Sequence, residues 1–171
     1  MIDLGYVQTM ARYGAWQNES LSSAADGLSD AARDEDRGAF FGSISATLNH
    51  LLWGDRIWMS RFVGTPPPQR ASIPESVQET TDWQDYRAAR AQMDATIQQW
   101  ATALDPAWLQ GDLNWFSGAA QREVCKPKSM LVMHFFNHAT HHRGQVHAML
   151  TAAGASTGDT DLFFLPDADQ N

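Results

Sequence analysis

Four stretches of this 171-residue chain space their apolar residues at steps of three and four, and no other feature limits the fold so tightly. Side chains at that spacing return to one face of an α-helix. The first stretch carries Leu4, Val7, Met10, Ala11, Gly14, Ala15 and Leu21 and ends near Asp26-Gly27. A polar stretch from Ser29 to Arg37 holds the turn and the start of the next helix. The second runs from Phe40 to Phe62 through Phe41, Ile44, Leu48, Leu51, Leu52, Ile57 and Trp58. Gly64-Thr65-Pro66-Pro67-Pro68 stops it, because proline lacks the amide donor and disfavours helix in the residue before it. Residues 64 to 81 then read as a long surface connection. Thr81 or Asp82 caps a third helix with Tyr86, Met93, Ile97, Trp100 and Leu104, ending before Pro106. The fourth opens at Pro127 or Ser129 and closes at Gly154.

Between the last two helices the pattern changes. Leu113-Asn114-Trp115-Phe116 and Arg122-Glu123-Val124-Cys125 flank Gly118 and are expected to form a short hairpin. After Gly158 the chain is acidic apart from Leu162-Phe163-Phe164-Leu165, which is expected to pack back onto the helices. No repeat or low-complexity tract marks a second unit. The expectation is an all-α four-helix bundle over residues 1–171 as one domain, with a long connection between its second and third helices.

Composition narrows the class of partner. A formal net charge of −8 argues against a nucleic-acid platform, which would present a basic face, but leaves room for an anionic ligand in a shielded site. Cys125 stands alone, so an internal disulfide is excluded, in keeping with a reducing cytoplasm. No basic-then-apolar leader and no membrane-length apolar run are visible, so a cytoplasmic protein acting on a small-molecule substrate is expected. The tryptophans are expected in the core, with Trp16 or Trp115 as candidates for lining a pocket mouth.

Six histidines are present, and all but His50 fall in the fourth helix: His134, His138, His141, His142 and His147. At about 100° per residue, with His134 at zero, His138 lies at about 40° and His142 at about 80°. That is inside the apolar arc of Leu131, Phe135, Val146 and Met149, where an unpaired imidazole is costly. His134 and His141 lie on its flank and His147 points away. Two imidazoles one turn apart can share a metal. His50, beside the small residues Ser43, Thr47 and Gly54, supplies a third ligand with room for an exogenous group. Three neutral nitrogens suit zinc, nickel, iron or copper rather than magnesium or calcium, and three ligands with a position open is the catalytic pattern. A lone H-x-x-x-H pair is a weak signal, and packed core histidines are the bland alternative.

Taken together, these residues resemble the DinB-like (damage-inducible, YfiT-related) four-helix metalloproteins. The similar segments are Tyr13-Gly14-Ala15-Trp16-Gln17-Asn18, then Thr47 to Trp58 with His50 and Asp55, then Asn137-His138-Ala139-Thr140-His141-His142-Arg143-Gly144-Gln145. Gly154 and Asp161-Leu162 also fit. The resemblance implies His50, His138 and His142 as metal ligands, the set reached above from helical geometry. It also implies activation of a low-molecular-weight thiol such as glutathione for S-transfer, a stress-response setting and a homodimer. A metal-dependent hydrolase and a non-enzymatic metal-binding domain are the competing readings. The absence of a His-Glu pairing like that of the zinc proteases on the fourth helix favours the thiol.

Three further expectations concern buried polar residues. Asp55 and Arg143 both point into the bundle and are expected either to pair, locking the second and fourth helices, or to make separate local hydrogen bonds. Gln145 lies on the metal-facing side and is placed to orient a ligand or bound water. Gly144 is expected to permit close helix approach.

Overall fold

The computed structural model describes residues 2–167. Its long helices are α1 (Leu4–Asp26), α3 (Ile44–Val63), α4 (Trp83–Ala103) and α5 (Lys128–Ala152), with a short α2 (Asp30–Asp34) between the first two. A two-stranded antiparallel sheet, β1 (Asp112–Ser117) and β2 (Arg122–Pro127), pairs Trp115 with Val124. Helix α1 packs against α4 and α5, and α3 packs against the same two, which makes a four-helix bundle. The fold is all-α apart from the hairpin.

The helix starts are encoded locally. Asp3, Ser43 and Asp82 each accept a hydrogen bond from the backbone amide three residues on. Each such cap contributes about 1 kcal/mol, because it satisfies an amide that has no partner inside the helix. Asp82 rather than Thr81 caps α4. Gly64, at φ +74°, ends α3 in a left-handed conformation that costs a residue without a Cβ little.

The second helix starts later than its apolar period implies. Phe40 and Phe41 belong to a tight turn in which Gly42, at φ +80°, donates to Ala39 O at 2.8 Å and accepts from Arg37 N. Ser43 then caps, so helical geometry begins only at Ile44. The polar segment before it forms α2, closed off by Glu35 in extended geometry, rather than running on into α3.

The core unites all four long helices: Val7, Leu21, Ile44, Leu48, Leu52, Met59, Tyr86, Ile97, Val132, Val146 and Leu150 are buried. Burying each large apolar side chain contributes about 1.5–3 kcal/mol, so this shared interior, rather than local propensity, holds the helices together.

The C-terminal segment does not dock as its apolar run implies. Phe163 is 79% exposed, and Leu162 and Phe164 are exposed too. The chain is instead fastened to α1 through its backbone. Tyr13 donates to Thr160 O at 2.7 Å, Gln17 to Asp159 O at 2.8 Å, and Arg12 to Pro166 O. Polar α1 side chains hold the main chain in place and leave the apolar side chains outside.

Asp55 and Arg143 are both buried, yet they do not form an ion pair. Asp55 is taken by Arg90 of α4, whose Nη1 donates to its Oδ2 at 2.6 Å. Arg90 is 2% exposed and also lies 2.8 Å from Asp94, one turn along α4. An arginine on the facing helix with a second acid beside it offers Asp55 the better-compensated partner. Arg143 turns toward α1 instead and donates to Thr140 Oγ1 at 3.2 Å.

Candidate metal centre

Three imidazoles converge where α3 and α5 meet. His50 comes from the middle of α3, and His138 and His142 come from successive turns of α5. One potential ligand atom from each lies within 4.8 Å of the others. Ring centroids are 4.6 Å apart for His138–His142, 4.8 Å for His50–His142 and 5.4 Å for His50–His138. Gly54, one turn after His50, faces His138: a Cβ there would lie 3.5 Å from His138 Cε1, in van der Waals contact with the ring.

Two of the rings are locked in one tautomer. Ser76 uses its only hydroxyl proton to donate to Ile73 O at 2.6 Å. His50 Nδ1, 2.8 Å from the Ser76 hydroxyl oxygen, must therefore be the donor, which leaves the lone pair on Nε2. His142 Nδ1 likewise donates to Gln145 Oε1 at 2.8 Å, with the same consequence. Partners that fix the tautomer and orientation of imidazoles are characteristic of metal-binding histidines.

Ser76 is in position because the long connection is organised from within. Glu79, fully buried, accepts from Arg56 of α3 at 2.6 Å and from the amides of Gln69 and Arg70. This draws the 3₁₀ turn Ser76–Gln78 against α3.

Aromatic rings cover one side of the cluster. Phe41 stacks on His50 at 4.0 Å between centroids and stands 5.4 Å from His142, while Trp53 lies 5.7 Å from His50. His138, partly exposed, is the least enclosed of the three. His134 and His141 are exposed beside it, with ring centroids 5.6 Å from His138 and 4.9 Å from His142, outside the converging set. His147 faces elsewhere and meets Thr157 Oγ1 at 2.8 Å.

Burial makes all three imidazoles hard to protonate. Desolvation, followed by the neighbouring rings of His142 and His138, pushes His50 down to about 3. Desolvation, then His142, His134 and His141, pushes His138 down to about 4. Burial also lowers His142, partly offset by its bond to Gln145. Neutral rings keep their lone pairs, so the donor set fits a divalent transition ion.

The same shifts predict how the metal-free protein responds to acid. Below pH 6.5 the unfolded chain takes up protons at these positions and the folded chain does not, so stability falls. The loss approaches about 1.4 kcal/mol per pH unit per histidine and levels off as pH reaches the folded values near 4 and 3. Urea midpoints at pH 7.5, 6.5, 5.5 and 4.5 should fall across the last three. The decline should be shallower in a His50→Asn, His138→Asn double variant. Equal slopes in the two proteins would contradict the buried neutral histidines.

Spacing on α5 finds His138 and His142, and the structure brings His50 to them. The sequence reading missed Ser76 and Glu79, which carry no periodic signal inside a proline-rich connection, and took Phe41 for helix core. Trp115 lies 5.8 Å from Trp58, which itself meets His134 at 5.2 Å.

Comparison with known proteins agrees with this architecture. The model of the DinB family matches residues 1–171. Over 156 residues, 87% of either chain, the sequence is 26% identical to the protein DinB of Bacillus subtilis (strain 168). No solved structure gives a significant match.

Proposed function

Since this chain belongs to the DinB family, we propose that His50, His138 and His142 hold one divalent transition metal, zinc or nickel, and that the site activates a small thiol for S-transfer to an electrophilic substrate. The carrying observation is the convergence of three neutral imidazoles, two with their Nδ1 atoms already committed to Ser76 and Gln145. A divalent ion there supplies Lewis acidity, which favours the anionic form of a small thiol near neutral pH.

The chain's own groups have separable roles. Ser76 and Gln145 hold two rings in position. Phe41 and Trp53 exclude water from the His50 side, which strengthens electrostatic interactions within. His134 and His141, exposed beside the cluster, would take the thiol proton or pass it to solvent. The sulfur then forms the new C–S bond as the leaving group departs with its electron pair. The converging set contains no carboxylate among the described residues.

The test uses cobalt-substituted protein titrated at neutral pH with glutathione and, separately, with azide, and the metal-free protein as control. Glutathione should change the visible spectrum and release a proton. A response to azide alone would replace thiol transfer with hydrolysis, and a response to neither would make the metal a structural element of the bundle.

A further inference from the structure

On the opposite side of α5 from α3, a cavity of about 270 Å³ lies between α1, α5 and the C-terminal segment. Tyr13, Gln17, Thr140, Arg143, Gly144 and Thr160 line it. Arg143 is 6% exposed, yet no carboxylate of the described residues lies within ion-pair distance of it. Among the described residues, one of its five N–H donors makes a hydrogen bond, to Thr140 Oγ1. Its guanidinium carbon stands 5.6 Å from the Tyr13 ring, so the fork lies between two residues of the cavity wall.

A buried guanidinium is normally satisfied by an ion pair, because an unpaired charge loses its hydration without return. Neither nearby acid pairs with it. Asp55 is bonded to Arg90, and Asp94 lies against Arg90 and accepts from Asn18 at 2.8 Å. Burial lowers the Arg143 pKa and the charges of Asp55 and Asp94 oppose that lowering, while one oxygen of each acid is engaged elsewhere. Arg143 thus keeps unused donors beside a polar cavity.

Gly144 adds a second observation. A Cβ built there would meet nothing within 4 Å, so this glycine does not serve close helix packing as its place in the sequence implies. It leaves part of the cavity open, at a cost of about 1 kcal/mol relative to alanine inside a helix. Across the cavity, Tyr13 and Gln17 are fixed by their bonds to Thr160 O and Asp159 O, so the wall is built before any ligand arrives.

We propose that this cavity is a binding site for a small organic oxyanion, with a carboxylate or phosphate group seated on the Arg143 guanidinium. Arginine presents a planar fork of donors that matches either group. The volume suits a metabolite-sized molecule rather than a large cofactor. The site is independent of the three-histidine cluster, which faces α3.

Isothermal titration of the metal-free protein with succinate and with inorganic phosphate, at ionic strength fixed by sodium chloride, tests this. At least one should bind saturably with one site per chain, and the one that binds identifies the ligand class. Arg143→Met should weaken binding at least tenfold. Gly144→Leu should do the same by filling the cavity without altering the guanidinium, which keeps the test decisive if Arg143→Met fails to fold. His138→Ala should leave binding unchanged. The proposal is overturned if neither anion saturates, if Gly144→Leu binds like the parent, or if His138→Ala removes the binding.

Discussion

Replacing His138 or His142 with alanine is expected to reduce bound metal from about one ion per chain to background, because two imidazoles and solvent are too few donors to hold a divalent ion at this site. Metal analysis of gently purified protein measures it directly. The surrounding residues should give a graded series. Ser76→Ala and Gln145→Leu keep all three ligands but release His50 and His142 from their fixed tautomers, and each should weaken affinity about 10–100-fold. His147→Ala should change nothing, since His147 meets Thr157 on another face of α5. Full occupancy in both the His138 and His142 variants would falsify the assignment, and an effect of His147 as large as theirs would show that the losses reflect general unfolding.

Asp55→Ala should be among the most destabilising single changes in the chain, costing about 3–5 kcal/mol. The reason lies in Arg90, 2% exposed, which would keep its charge and lose its closest partner. Asp94 would remain 2.8 Å away, through an oxygen it shares with Asn18. At about 2–4 °C per kcal/mol for a chain of this size, the midpoint of thermal unfolding should fall by roughly 6–20 °C. Calorimetry on the metal-free proteins separates this from any loss of metal. A cost below about 1 kcal/mol would mean that water or another group reaches Arg90 and that the pair is not dry. Exchanging Asp55 and Arg90 together for well-packed apolar residues should be far milder than either single change, since no charge is then left behind.

These two outcomes depend on different kinds of information. The ligand positions on α5 follow from helical period alone: His138 and His142 are four residues apart on a stretch whose apolar face is unambiguous. The bundle was legible for the same reason. Repeated three-and-four spacing, capping residues at Asp3, Ser43 and Asp82, and Gly64 before three prolines each act over a few residues. Local physics also limited the misreading of Phe40 and Phe41. Their apolar character continues the α3 pattern, but the positive φ of Gly42 breaks the helix between them and Ile44.

What tertiary structure alone decided was the choice among partners. Asp55, Asp94, Arg90 and Arg143 are all buried or nearly so on helices that meet in the core, and helix wheels rank none of their pairings above the others. Which charges come within 3 Å depends on helix offset and tilt, set by the packing of the whole interior. The pairing of Arg90 with Asp55 leaves Arg143 facing a cavity instead of closing a bond between α3 and α5. Ser76 reaches His50 across 26 residues only because Glu79 folds the connection onto Arg56. The exposed Phe163 makes the same point in reverse: an apolar run predicts burial, yet hydrogen bonds to its neighbours' backbone fix the tail with that ring in solvent. Periodicity determines which face of a helix is buried, because that is a property of one helix. Contacts between helices are set by the interior they share.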